Sequence, residues 1–170
     1  DGITWTQGTM PSSQAWTKVC YGNNKFVVVS TTGMLNDDVF AYSTDGITWT
    51  QGTMHTSRSW NSICYGNNKF VTIAYNSNSF AYSSDGINWT QGTMPSSQNY
   101  LYICYGNGVF VTVTASYSLY YSIDGINWTQ GTINHDINMT VFYGAGKFIT
   151  ITSNTPSNQF SYCTLPTSYY

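Results

Sequence analysis

Apolar and aromatic residues in this chain come in short runs, either unbroken or at every second position, and Gly, Asn and Ser interrupt them roughly every 8–12 residues. No segment carries the 3.6-residue spacing of an amphipathic helix, so the pattern predicts an all-β chain. Read from residue 16, the first unit contains four strands. Residues 16–21 are followed by Gly22-Asn23-Asn24, residues suited to a tight hairpin, and then by an unbroken apolar run at 26–29, the mark of a strand covered on both faces. A looser polar stretch at 31–38 leads to a third strand at 39–42. Asp45-Gly46 then turns the chain into 47–51, where alternation puts Ile47, Trp49 and Gln51 on one face. The same four-part pattern starts again at Trp60, at Tyr100 and at Met139, the last time stopping one strand short.

The stretch that opens at Asp1 as Asp-Gly-Ile-Thr-Trp-Thr-Gln-Gly-Thr-Met returns almost unchanged at Asp45, Asp85 and Asp124, with starts 44, 40 and 39 residues apart. Self-similarity at this period predicts one blade of a β-propeller per repeat. The expected fold is therefore a four-bladed β-propeller of four-stranded antiparallel blades, a single domain over 1–170. Its lone first strand, at 3–7, is expected to pair beside 160–162 and complete the last blade, which leaves no edge exposed.

The segment Ser43-Thr44-Asp45-Gly46-Ile47-Thr48-Trp49 resembles the Asp-box of sialidase-like and BNR-repeat propellers, and it recurs at Ser83–Trp89 and Ser122–Trp128 with Asp and Gly one residue closer than usual. A split fourth copy joins Cys163-Thr164 to Asp1-Gly2. Together with Tyr-Gly-Asn-Asn-Lys-Phe-Val, the repeats are similar to those of bacteriophage tail proteins and bacterial surface proteins. The resemblance implies a structural turn at Asp1, Asp45, Asp85 and Asp124. Physical chemistry agrees, since a short carboxylate accepts backbone N–H groups within a turn and Gly supplies a positive φ.

Only 7% of the residues are charged, there is no Glu, and Arg58 is the single arginine. A sialidase needs three arginines and a Tyr/Glu pair, and glycoside hydrolysis in general needs two opposed carboxylates. Outside the turn positions the carboxylates are Asp37, Asp38 and Asp136, so the expectation is that the chain is not an enzyme. A net charge of −2 with no basic run offers nothing to nucleic acid or an anionic membrane, and no apolar stretch approaches the length of a membrane span. His55 and His135 fall in corresponding connections one residue out of step, so neither a metal site nor a cofactor is expected. Cys20, Cys64 and Cys104 occupy equivalent places in three repeats. They read as small buried hydrophobes folded in a reducing cytosol. The chain does not begin with Met, which fits part of a larger polypeptide or assembly.

The repeats differ most in the connections after the Trp strand, at 10–16, 54–60, 94–100 and 133–139. Amides, hydroxyls and aromatic rings gathered at one end of a rigid scaffold are the material of a carbohydrate site. The candidate ligand-binding residues are Gln14, Trp16, Arg58, Trp60, Asn99, Tyr100, Asn134 and His135. The expected function is a binding or adhesion module of a virion, or of an extracellular or cell-surface protein, that recognises a cell-surface glycan. The alternative is a purely structural module of the same kind of assembly.

Overall fold

A computed structural model describes residues 2–31, 38–132, 140–151 and 160–164. Its strands form four antiparallel sheets, each a meander in chain order. The first contains β1 (Trp16–Gly22), β2 (Lys25–Ser30), β3 (Val39–Ser43) and β4 (Thr50–Thr53). The second contains β5 (Trp60–Gly66), β6 (Lys69–Ala74), β7 (Ser77–Ser83) and β8 (Thr90–Gln98). The third contains β9 (Tyr100–Gly106), β10 (Val109–Thr114), β11 (Leu119–Ser122) and β12 (Thr129–Gly131). The fourth is three-stranded among the described residues, with β13 (Thr140–Gly144), β14 (Lys147–Ile151) and β15 (Phe160–Thr164). The architecture is the all-β repeat of sheets that the sequence predicts.

Local chemistry explains why every unit begins alike. Asn23 and Asn24 both take positive φ, 44° and 55°, as the two-residue hairpin between β1 and β2 demands, and Asn67 and Asn68 repeat the turn in the second sheet. This turn fixes the register that sets Tyr21 opposite Phe26, with ring centroids 4.6 Å apart. The same pair recurs as Tyr65–Phe70, Tyr105–Phe110 and Tyr143–Phe148 at 4.6–4.8 Å.

The sheets pack face to face in sequence, β1 beside β5, β5 beside β9 and β9 beside β13, with an apolar layer in each gap. One contact recurs in all three seams and two more in the first two. Tyr65 lies flat over Gly22, where an added Cβ would sit 2.0 Å from the Tyr65 ring; Tyr105 covers Gly66 and Tyr143 covers Gly106 at the same distance. The Val27 side chain presses on Gly86, and Val71 on Gly125. At the outer side, Trp89 meets Phe40 edge-on at 5.7 Å, and Trp128 meets Phe80 at 5.9 Å. Asn23 adds a hydrogen bond from its side chain to the Ser84 carbonyl, repeated by Asn67 to Ile123.

Two expectations are corrected. The fourth strand of each full sheet starts at Thr50, Thr90 or Thr129, not at Ile47, Ile87 or Ile126, because the preceding backbone N–H groups are taken by the turn aspartate. The N-terminal strand does not complete the fourth sheet either: residues 3–7 form no strand, and Ile3 and Trp5 are 82% and 86% exposed. The faces that closure would bury, Val19 and Tyr21 on β1 and Phe142 on β13, are all open to solvent, so a segment leading into β1 has no packed seam to follow across to β15.

The seams predict a sharp steric requirement. Gly66→Ala forces the Tyr105 ring off the strand and is expected to destabilise the protein by about 1–3 kcal/mol, as overpacking does. The check is thermal unfolding against Gly108→Ala, a positive-φ site with open space around it that carries backbone strain but no clash.

Candidate functional site

Each sheet has two ends of different chemistry. At one end lie the strand-one-to-two hairpins and the Asp-Gly turns; at the other lie the connections between successive sheets and the strand-two-to-three hairpins. At the first end Ser43 Oγ donates to Asp45 Oδ1 at 2.8 Å, and the same oxygen accepts the N–H groups of Ile47 and Thr48 at 2.8 and 2.7 Å. Gly46, at φ 75°, donates its N–H to Ser43 Oγ. Asp85 and Asp124 repeat this arrangement and each also accepts from an asparagine side chain, Asn88 or Asn127, at 2.7 Å. The N–H groups of Thr48 and Ile47, then the Ser43 hydroxyl, hold Asp45 well below the usual carboxylate range. For Asp85 and Asp124 partial burial pulls upward, but the hydrogen bonds outweigh it and both are also lowered. These carboxylates are occupied by their own turns. Asp1 lies outside the described residues.

The connection end is where sequence reasoning placed a ligand. Trp60 and Tyr100 are buried, at 1% and 0% exposure, so neither presents a ring to solvent. Each is the first residue of an inner strand, with Trp60 in the layer between the first two sheets and Tyr100 meeting Tyr120 edge-on at 5.5 Å. The Tyr100 hydroxyl donates to the Ser96 carbonyl, and burial raises its pKa. Trp16 is half-buried, its indole N–H directed to the Ser12 carbonyl at 3.3 Å. Gln14 and Asn99 are half-buried, and Arg58 and His55 exposed. Arg58 Nε donates to Ser79 Oγ at 3.2 Å, which ties the guanidinium to the end of the second sheet. Asn134 and His135 lie outside the described residues. Among the described residues no three metal-ligating side chains come together.

Two residues that the pattern missed are at this same end. Tyr75 and Tyr117, each 43% exposed, sit in the strand-two-to-three hairpins of the second and third sheets. Backbone bonds place them beside the connections: Tyr75 N–H donates to the Ser59 carbonyl, and Ala115 N–H to that of Asn99. Amides and hydroxyls adjoin them in the chain, Asn76 and Ser77 after Tyr75 and Ser116 and Ser118 on either side of Tyr117, with Ser116 bonded to Gln98. The signal available in sequence was a tyrosine set among Ser and Asn, off the strand alternation.

A separate cleft of about 590 Å³ lies between the third and fourth sheets, lined by Val111, Leu119, Tyr121, Gln130, Phe148 and Cys163. Leu119 holds the place that Phe40 and Phe80 hold in the first two sheets, so the cleft stands where Trp89 and Trp128 fill the other seams. The inner-strand thiols are half-buried. Cys20, Cys64 and Cys104 are unpaired, and burial pushes Cys20 and Cys104 up to about 12 and Cys64 well up.

No family model matches the chain, and no curated protein matches it by sequence. Solved structures match it as a fold. YCF48 bound to D1 peptide superposes with a TM-score of 0.68 at 17% identity, over 91% of this chain and 52% of that one. Virginiamycin B lyase from Staphylococcus aureus gives 0.69 at 13% identity, over 93% and 58%. The computationally designed Ika4 protein gives 0.69 at 8%, over 96% of this chain and all of that one. The chain thus spans little more than half the length of the two natural proteins. These β-propeller neighbours establish the architecture. They also correct the expectation that the chain is no enzyme: the lyase is an enzyme on this architecture, so a propeller poor in paired carboxylates is not thereby outside catalysis.

Two outcomes are expected. Asp85→Ala strands the N–H groups of Ile87 and Asn88 near solvent and costs about 1 kcal/mol, read as a fall of about 2–4 °C in Tm. Because these folded pKa values are depressed, the contribution is complete above about pH 4 and lost only as pH falls through the lower folded values; Tm of the wild type and Asp85→Ala should therefore converge in strong acid. Cys20, Cys64 and Cys104 should resist a thiol reagent in the native protein and react at the rate of unfolding, followed by mass spectrometry of labelled peptides.

Proposed function

We propose that the chain is a binding module that presents its connection end to a neutral, hydroxyl-rich ligand, a glycan on a cell surface, from a phage tail or another surface-exposed protein. The observation that carries the reading is the placing of Tyr75 and Tyr117 at corresponding hairpins of neighbouring sheets, exposed among amides and hydroxyls. An aromatic face stacks on the apolar side of a sugar ring, and the surrounding amides and hydroxyls meet its hydroxyls. In sequence, the strand-two-to-three segment at 31–38 and the connection at 133–139 contribute Asp37, Asp38 and Asp136, and Arg58 is already engaged by Ser79 and by the Ser57 carbonyl, so an anionic ligand finds little free positive charge. Two exposed tyrosines at the same end of one rigid body favour a multivalent surface, where modest single-site affinity multiplies.

A second reading, peptide binding, is favoured by the fold-level likeness to YCF48 in its peptide-bound form. A glycan array and a peptide array probed with the same labelled protein distinguish the two. Silence of both returns the chain to the structural alternative.

The expected mutational pattern is a split between binding and stability. Tyr75→Ala or Tyr117→Ala should weaken binding about tenfold, the loss of roughly 1.4 kcal/mol of contact, with Tm nearly unchanged. Trp60→Ala should instead cost about 3–5 kcal/mol of stability as a core deletion. A tyrosine variant that binds normally in isothermal titration would remove this end from the site.

A further inference from the structure

The three internal seams are built to one plan, and the two outer faces of the chain carry the two halves of a fourth. The first two seams show the plan in full: the earlier sheet offers a bare glycine, an aliphatic side chain and an aromatic third-strand residue, and the later sheet the covering tyrosine, the turn glycine and the turn tryptophan; the third seam keeps the tyrosine on its glycine and has Leu119 at the aromatic place. The last sheet leaves its half unused. Gly144 has no tyrosine over it, its nearest neighbour being its own sheet's Phe142 at 3.3 Å from an added Cβ, and Ile149, Phe160 and Phe142 are exposed. The first sheet leaves the complementary half. Tyr21 is 55% exposed, while Gly46 meets only Phe26 of its own sheet, and Trp49 packs at 6.4 Å on Phe26 without a partner like Phe40.

We infer that a second copy of this chain docks head to tail on these faces, Tyr21 of one copy seated on Gly144 of the other, with Gly46 against Ile149 and Trp49 against Phe160. Such a contact joins unlike surfaces, so it must close into a ring or run on as a filament. Two copies supply eight sheets, within the four to eight blades of known propellers, whereas three would exceed it. The same seam brings each copy's residues 3–7 to the edge of the other's β15, which pairs only with β14 among the described residues, and Trp5 to the cleft beside Leu119 that lacks the tryptophan found in the equivalent seams. The segment exposed in a single chain and the unfilled cleft are then the two parts of one contact. One element of the internal plan is missing: Ala145 stands where Asn23 and Asn67 bond across their seams, so this interface relies on its apolar contacts.

Light scattering coupled to gel filtration tests the inference on the whole 170-residue chain. The expected mass at micromolar concentration is twice the 18.9 kDa of one chain. Gly144→Val should give the single-chain mass, since the added atoms meet only a movable Phe142 ring within one copy but collide with Tyr21 across the seam. Trp5→Ala, a change at a side chain exposed in the single chain, should raise the dimer Kd at least tenfold with an unchanged circular dichroism spectrum. Cys163, which lines the cleft, should be protected from thiol reagents in the wild type and labelled quickly in Gly144→Val. A single-chain mass for the wild type, a polydisperse larger species, or a dimer indifferent to both substitutions would each overturn it. Should Gly144→Val fail to fold, Trp5→Ala and Cys163 labelling of the wild type decide the matter.

Discussion

A tyrosine ring laid flat on a glycine backbone is the contact on which the rest of this molecule depends. It recurs at Tyr65 on Gly22, Tyr105 on Gly66 and Tyr143 on Gly106, and there is room for no side chain beneath the ring. The contact brings the inner strands of neighbouring sheets to a common distance. That distance sets the thickness of the apolar layer further out, which Val27, Phe40 and Trp89 fill in one seam and Val71, Phe80 and Trp128 in the next. A larger residue at any of these glycines would wedge the sheets apart along their whole length, because packed interiors do not deform by halves.

Against that rigid interior, the polar groups divide into two populations. Asp45, Asp85 and Asp124 are used up by local turns, each satisfying N–H groups that would otherwise be orphaned where the backbone leaves the sheet. The amides and hydroxyls of the connection end bind one another or remain at the surface. With hardly any formal charge on the chain, solubility rests on this second population. So does whatever selectivity the surface has, because directional hydrogen bonds replace long-range attraction.

The strands and their repetition were legible because they are written in local terms: period-two patterning, Asn-Asn hairpins and a recurring decapeptide. What was not legible depended on which surface comes to lie opposite. Trp60 and Tyr100 begin strands as the pattern predicts, but standing at the end of polar connections they also read as ligand contacts, and nothing in the residues before them records that their rings turn inward. Ile47 and Trp49 alternate like strand residues, but the Asp45 carboxylate claims the N–H groups that a ladder needs. Tyr75 and Tyr117 lie outside both the strands and the variable connections, the two places where the repeat pattern carries meaning. The segment at 3–7 has the alternation of a strand and yet forms none. Alternation reports which residues share a face, and it is silent on what covers that face.

The uniformity of the seams bears on how such a chain can change over time. Every sheet presents a bare glycine on one side and a tyrosine on the other, so a unit of about 40 residues spliced in between any two sheets meets on both flanks the surfaces it requires. Neither neighbour has to be altered to receive it. Unequal recombination within the gene can therefore lengthen or shorten the array in whole units, leaving each hairpin and turn intact, while the variable connections accumulate differences one copy at a time.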